Sequence, residues 1–479
     1  MPQDSSRTRA IAGNTAVQVA GKFVGTLLGI LTVGVMTRHL GQSGYGQFTT
    51  VMSFLQFFGI LVDFGLTLTM VKMVSLPDTD ESEVASNIFT LRLLSGAVFF
   101  GVAPAVALFL PYPTVVKAGI ALGALSFLGI TLSSVLVGIF QKHLAMHRAA
   151  IAEVAGRTVL LLGAFLAARA GAGLLSFIGV LVAANLIQFL LVFLFTRSFT
   201  RVGLAFDTGL WKRIIRESWP IGLAIAFNLV YLKGDIIILS LSRPEAEVGL
   251  YGAAYKILDV VTVIPMVFMG LVLPLITASW SSGNRREYGR RLGRAFSFLS
   301  LLALPLVFGT LAVSRDLMAL IAGESFASSG TYLSILMLGA AMVFWGALFG
   351  HAIVAQGLQR KVIPAYAADA IISILLYILL IPRFGAVAAA WVTVFSEAFI
   401  ACFAAAMVIR TSRQRPSLDI FSRSLLASLG MFAVVLWAGP WHVLIRIMLG
   451  IASYGGLLFL FRGLTRDMLQ DILRRPRTP

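Results

Sequence analysis

Eleven charged side chains lie away from the ends of strongly apolar runs of the sequence, and these are the residues that could do chemistry. A charge at the centre of a bilayer span costs on the order of 2.5–3.5 kcal/mol on insertion scales, so each one needs a reason to be there. Depth counted from the expected span ends sorts them. Asp63, Arg92, Glu153, Arg157 and Asp369 fall in the inner half, Lys22 and Glu397 near the midplane, and Lys233, Asp235, Lys256 and Asp259 in the outer half. Cations at such depths either pair with acids or touch a substrate, and protonatable acids there, Glu397 and Asp235 above all, can hold a proton or a cation. Spacing favours local pairing for some. Glu153 and Arg157 are four residues apart on one helix face, and Lys256 and Asp259 are three apart. Lys233 and Asp235, two apart, point to different sides, so each needs a partner elsewhere. Lys22 has no acidic neighbour at helical spacing and is the cation that local pairing explains least.

The elements that must position these residues follow from composition. Of 479 residues, 58% are hydrophobic and 12% charged, with a mean hydropathy of +0.91. Soluble domains carry roughly 25% charged residues. Most of this chain is therefore solvated by lipid. The single cysteine, Cys402, lies in an apolar run, which excludes a disulfide scaffold. Fourteen apolar segments are long enough to cross a bilayer: 12–36, 46–71, 87–110, 117–140, 149–168, 173–195, 217–240, 248–279, 293–313, 331–355, 363–381, 385–409, 421–438 and 443–461. The 248–279 run exceeds one crossing and is expected to tilt or to kink near Pro265 or Pro274. Alternating segments of an outer-membrane barrel are absent from the sequence. The N-terminal apolar run is too long for a signal-peptide core and reads as a retained first helix.

The formal charge of +17 supports the same topology. With a cytoplasmic N-terminus, 26 Lys and Arg fall in inner segments, seven in outer loops (one each, Arg446 among them) and five within spans. This is the positive-inside bias. Clusters at Arg213/Arg216, Arg285/Arg286/Arg290/Arg291 and Arg474/Arg475 are expected to meet anionic lipid headgroups, not nucleic acid. Both termini are then cytoplasmic.

Two halves repeat at an offset of roughly two hundred residues. Tyr45-Gly46 in GYGQFTTVMSF matches Tyr251-Gly252 in LYGAAYKILDV, and Arg169-Ala170-Gly171 parallels Arg383-Phe384-Gly385. Six spans per half make the repeats parallel, and two lobes that rock about a central cleft suit a carrier. The expected fold is an all-α integral membrane protein of about 14 transmembrane helices. It divides into an N-terminal lobe (1–200, spans 1–6), a C-terminal lobe (201–412, spans 7–12) and an extra helix pair with a basic tail (413–479). Other motifs lead nowhere. His143 and His147 have the spacing of a zinc pair, but Leu144 stands where H-E-x-x-H needs its glutamate, so no metal site is expected. No Walker sequence occurs, Gly44-Tyr45-Gly46 reads as a turn, and the small-residue pairs Gly25/Gly29, Gly119/Gly123 and Gly346/Gly350 read as helix-packing positions.

The opening sixty residues carry a pattern R-x-LG-x-x-x-YG (Arg38, Leu40, Gly41, Tyr45, Gly46) followed by D-x-G-L (Asp63, Gly65, Leu66). The second half carries Asp235, Val248, Gly249, Tyr251, Ala254 and Tyr255 in GDIIILSLSRPEAEVGLYGAAYKILDV. These motifs resemble polysaccharide-export and O-antigen flippases of the Wzx type, members of the multidrug/oligosaccharidyl-lipid/polysaccharide superfamily. The resemblance implies transport of an undecaprenyl-pyrophosphate-linked oligosaccharide, an O-antigen or exopolysaccharide unit, across a bacterial cytoplasmic membrane. The headgroup would sit in a cationic cavity, for which Lys22, Arg157, Lys233 and Lys256 are the candidates. Asp63, Glu153, Asp235, Asp259, Asp369 and Glu397 are left to ion coupling or charge pairing. No cofactor is implied beyond H+ or Na+ coupling. Expected partners are the lipid-linked substrate, membrane lipids and polysaccharide polymerase or export machinery, with the chain itself a monomer. A MATE-like drug or cation antiporter is the second reading and would favour an acidic cavity. A membrane glycan polymerase or ligase is a third, disfavoured by outer loops too short to carry catalytic groups.

Overall fold

The computed structural model describes residues 2–76 and 79–463, with the side chains of 2–16, 19, 220, 221 and 223–232 outside the description. Every long regular element among the described residues is an α-helix: α1 (Pro2–Asp63), α2 (Leu66–Val74), α3 (Glu81–Leu108), α4 (Thr114–Lys142), α5 (Met146–Arg169), α6 (Leu174–Thr196), α7 (Thr208–Ser242), α8 (Glu245–Val261), α9 (Val263–Ser281), α10 (Arg285–Ala322), α11 (Ser329–Ala355), α12 (Gln359–Ser412), α13 (Asp419–Trp437) and α14 (Val443–Leu460). Hydrocarbon offers a backbone amide no partner, so runs this apolar must bond within the helix. Eleven helical stretches among the described residues, some of them bent or interrupted, are long and apolar enough to span a membrane. Polar residues set the entries. Asp80 caps α3 by accepting from the Ser82 and Glu83 amides at 2.8 and 3.2 Å, and Asn284 caps α10 through the Glu287 amide at 3.0 Å.

Two of the eleven stretches run for 55 and 54 residues, length enough for two crossings each. They are bent at Gly41 (φ 67°) and Gly385 (φ 61°), in the left-handed region that glycine alone enters freely. The turn expected at Gly44-Tyr45-Gly46 thus falls at Gly41 instead. Gly41 has open space around it, while Tyr45 and Gly46 are helical and packed. Expected span 46–71 is also interrupted, at Phe64 (φ 38°) and Gly65 (φ 81°), between α1 and α2. The long 248–279 run breaks at Thr262, where Pro265 has no N–H to offer the Val261 carbonyl and so enters as the first turn of α9.

By its own packing the chain forms two compact units, Met1–Gly252 with Tyr377–Gly385, and Ala253–Leu376 with Ala386–Pro479. In the first, one apolar cluster gathers Met70, Ile88, Val135 and Ile139, and a second gathers Val51, Leu55, Val62 and Ile120. Small residues permit these approaches, since lipid gives helices no hydrophobic reason to associate and contact must come from close packing. In the second unit, Tyr288, Leu299, Phe344 and Leu348 form the centre. Arg446, counted from sequence among the outer-loop cations, is buried in α14. It pairs with Asp316 and donates to the Ala312 carbonyl at 2.7 Å. Arg474 and Arg475 lie outside the described residues.

Candidate functional site

The first constellation is built by a glycine stripe. Gly21, Gly25 and Gly29 of α1 recur every four residues and turn to α5. A Cβ at Gly21 would stand 2.6 Å from that of Ala150, one at Gly25 would stand 3.5 Å from Glu153 Oε1, and one at Gly29 would stand 3.9 Å from Arg157 Nη1. The pair read from sequence as packing residues therefore makes room for two charged side chains. Lys22 Nζ lies 3.6 Å from Glu153 Oε1, with the two side chains 48% and 27% exposed. This corrects the sequence expectation that Glu153 pairs with Arg157, because the neighbouring helix α5 supplies the acid that α1 lacks. Arg157, half-buried, makes no ion pair or hydrogen bond among the described residues. Lys22, Glu153 and Arg157 together leave one formal positive charge.

The other deep charges are held more tightly. Arg92 is 2% exposed and spans the α1–α2 break. Its guanidinium meets Asp63 Oδ1 at 2.5 Å and donates to the Val62 carbonyl at 3.1 Å and the Thr131 carbonyl at 3.2 Å. Asp63 also accepts from the Thr67 hydroxyl at 2.5 Å and the Gly65 amide at 3.3 Å. Those bonds satisfy the ends of two interrupted helices, so Asp63 has the geometry of charge pairing. Asp235 is fully buried and accepts from the Tyr251 hydroxyl at 2.6 Å. Lys233 is half-buried and partnered. Lys256 and Asp259 form the expected i, i+3 pair, at 3.8 Å.

A second constellation lies across the two arms of α12. Asp369, fully buried, accepts from the Ser396 hydroxyl at 2.7 Å and the Ser373 hydroxyl at 3.4 Å. Glu397, next to Ser396 and within electrostatic reach of Asp369, has no hydrogen bond or ion pair among the described residues. Sequence reading found both acids but not the hydroxyls that donate to Asp369. Ser373, one helical turn after Asp369, was the available signal.

The repeated motifs also meet. A Cβ at Gly46 would collide with the Glu245 carbonyl, and one at Gly249 with the Gln42 carbonyl. A Cβ at Gly252 would stand 2.6 Å from Thr49 Oγ1. Gln47 Nε2 donates to Glu245 Oε2 at 2.8 Å across this contact. Two stretches that mark the duplication and carry the family resemblance in the sequence are thus in backbone contact, which side chains larger than hydrogen would prevent. His143, discounted as a zinc ligand, instead lies 3.0 Å from Glu81.

The family model described as polysaccharide biosynthesis protein matches residues 11–280, more than half of the 479. The chain belongs to this family. Among curated proteins it is similar to the probable flippase AglR of Haloferax volcanii, 25% identical over 250 residues, which covers 50% of this chain and 52% of the relative. It is also similar to the probable low-salt glycan biosynthesis flippase Agl15 of the same organism, 25% identical over 170 residues, or 34% and 35% of the two chains. The matches thus span about half or less of those relatives. In fold the family member resembles the lipid II flippase MurJ in an inward closed conformation, at a TM-score of 0.76 with 14% identity, covering 94% of this chain and all of that one. An inward-facing MATE multidrug transporter follows at 0.66 with 12% identity, covering 83% and 98%. At such identities the likeness is one of fold.

Proposed function

We propose that this member of the polysaccharide biosynthesis protein family is a carrier, not an enzyme, and flips an undecaprenyl-pyrophosphate-linked oligosaccharide across the cytoplasmic membrane. The observation that carries the reading is the α1–α5 cluster in a chain of this family. An anionic diphosphate crossing hydrocarbon needs buried positive charge, and Arg157 offers an uncommitted guanidinium with five donors in a planar fork. Lys22, loosely paired, is the second headgroup ligand, while Glu153 holds it in place when the site is empty. Lys233 and Lys256 contribute further along the path. The fourteen crossings, the two lobes at 1–200 and 201–412, the cytoplasmic termini and alternating access about a central cleft belong to the same proposal. In this reading the close approach of Gly46 and Gly249 is a gate contact that parts when its side of the carrier opens.

The test is surface display of the glycan in a strain lacking its own copy, scored with the membrane level of the protein. Arg157→Ala abolishes display at unchanged level, Lys22→Ala reduces it, and Lys22→Arg retains part of it. Carriage of a labelled lipid-linked oligosaccharide by reconstituted Arg157→Ala at the unsubstituted rate would sink the assignment. A cation antiporter is the second reading, favoured by Asp369 and Glu397, which have no basic partner among the described residues. It expects drug efflux, and no glycan defect, when either acid is neutralised.

A further inference from the structure

Between α6 and α7 the chain runs without helix from 197 to 207, and its course is fixed by one face of α3. The amides of Gly203, Ala205 and Asp207 donate in turn to Ser86 Oγ at 3.2 Å, Thr90 Oγ1 at 2.9 Å and Asn87 Oδ1 at 2.9 Å. Ser82 Oγ donates to the Arg201 carbonyl at 2.6 Å, and the Trp211 indole shares Asn87 Oδ1 at 2.9 Å. This alternation leaves the intervening side chains, Leu204 and Phe206, 64% and 67% exposed, with Phe206 tilted on Trp211 at 5.8 Å. They are not on a membrane-spanning helix, so lipid tails around a span do not account for them. Five cations (Arg197, Arg201, Lys212, Arg213, Arg216) lie within 197–217 against two acids: Asp207, whose carboxylate is occupied by the Gly209 and Leu210 amides at 2.8 and 3.0 Å, and Glu217, which pairs with Lys72.

We infer that residues 197–207 form an interfacial strap whose Leu204 and Phe206 insert into the inner leaflet while the flanking Arg and Lys bind its anionic phospholipid headgroups. An unsatisfied backbone amide is costly at the edge of the hydrocarbon, but at 203, 205 and 207 the amides are already satisfied by α3. Two apolar side chains amid a basic surround are what a leaflet of anionic lipid complements, since one signal alone binds weakly and two together hold. The inference rests on the cytoplasmic placement of this connection, not on the cargo.

The test places a bimane label at position 206 (Phe206→Cys), 204 (Leu204→Cys) or 208 (Thr208→Cys) in a Cys402→Ser background, Cys402 being the one cysteine of the sequence. Each variant is first shown to elute as a single species and to melt at the temperature of the unsubstituted protein. In vesicles with about 30% phosphatidylglycerol, labels at 204 and 206 are quenched by a lipid spin-labelled just below the headgroup and sheltered from aqueous iodide, and 208 behaves oppositely. Lipid quenching at 206 falls about two-fold or more in pure phosphatidylcholine, and the difference vanishes when Arg201→Gln and Arg213→Gln are added. Iodide access at 206 equal to that at 208 would overturn the strap. In sealed membrane vesicles, lipid quenching at 206 from spin label confined to the outer leaflet would overturn its inner placement. Absence of glycan carriage by the unsubstituted chain, with the quenching pattern intact, would overturn the proposed cargo and leave the strap standing.

Discussion

The charges on α1 and α5 and those on α12 answer the problem of polarity in a membrane in opposite ways. At the first, a stripe of three glycines gives Glu153 and Arg157 room, the ion pair to Lys22 is loose, and one guanidinium has no partner among the described residues. At the second, Asp369 is fully buried and its oxygens are met by two hydroxyls, with no cation in the set. Loose, partly exposed charge can be handed to a ligand at little cost, whereas a carboxylate ringed by short hydroxyl donors is fixed in place. A third region, Arg92 with Asp63, shows the fixed extreme for a cation: it holds Asp63 and the Val62 carbonyl at the end of α1 and anchors them to the Thr131 carbonyl within α4. Buried charge alone therefore does not mark a ligand site in this fold; spare hydrogen-bonding capacity does.

The sharpest way to break that contrast is to delete one arginine of each kind. Arg92→Ala strands Asp63 beside two open helix ends, and removing one partner of a buried pair costs about 3–5 kcal/mol. The expected result is loss of folded protein from the membrane, read by immunoblot and by thermal unfolding in detergent. Arg157→Ala leaves level and melting temperature unchanged while abolishing display. Equal loss of protein from both variants would erase the distinction between structural and ligand arginines.

Next in size is the glycine contact. Gly249→Val places a branched side chain where the Gln42 carbonyl already stands, forcing the two backbones apart. Overpacking of this kind costs about 1–3 kcal/mol. The expected outcome is accumulation of the protein with that side open, seen as increased labelling of a cysteine at Gln47 by an impermeant maleimide. Gly350→Val, where a Cβ meets nothing within 4 Å, is the control and shows no such change. Labelling that stays at the unsubstituted level would show that the contact is not part of the gate.

The membrane class, the helical fold and most helix limits were legible in the sequence because twenty apolar residues in lipid have one regular structure open to them. Local pairings were legible only along a single helix. Lys256 and Asp259 meet as their spacing implies, yet Glu153 turns to Lys22 on another helix, a choice set by the Gly25 face and invisible to i, i+4 arithmetic. The turn misplaced at Gly44–Gly46 has a similar cause. Three glycines within six residues offer the same backbone freedom, and only the contact with Glu245 and Gly249 reserves Gly46 for packing and leaves Gly41 to bend. Asp235 needed a partner, as its spacing from Lys233 implied, but Tyr251 belongs to the repeat motif and was read as a marker, not a donor.

A smaller effect probes the hydroxyl ring around Asp369. Ser396→Ala removes its 2.7 Å donor and leaves only Ser373 at 3.4 Å. Hydrogen bonds to charged groups are worth about 1.5–3 kcal/mol, so the melting temperature falls by several degrees. Ser396→Thr, which keeps the hydroxyl, restores most of it. A similar drop from Ser134→Ala, whose hydroxyl bonds only its own helix at Ile130, would show that serine loss in general, and not the donor to Asp369, sets the cost.

The smallest expected effect belongs to Lys256. Its ion pair with Asp259 is 3.8 Å long and more than a third exposed at both ends. Exposed pairs contribute about 0.2–1 kcal/mol, so Lys256→Ala leaves the melting temperature within about a degree or two of the unsubstituted protein. The informative readout is carriage. If a long, exposed ion pair marks a ligand site, Lys256 can exchange Asp259 for a phosphate at little cost, and Lys256→Ala raises the substrate concentration needed for half-maximal flipping several-fold without changing the maximal rate. Asp259→Ala removes this one competitor for the ammonium and shifts that concentration the other way. Two variants that move it in the same direction, or not at all, would confine the headgroup to Lys22 and Arg157 and make the Lys256–Asp259 pair a structural feature of α8 alone.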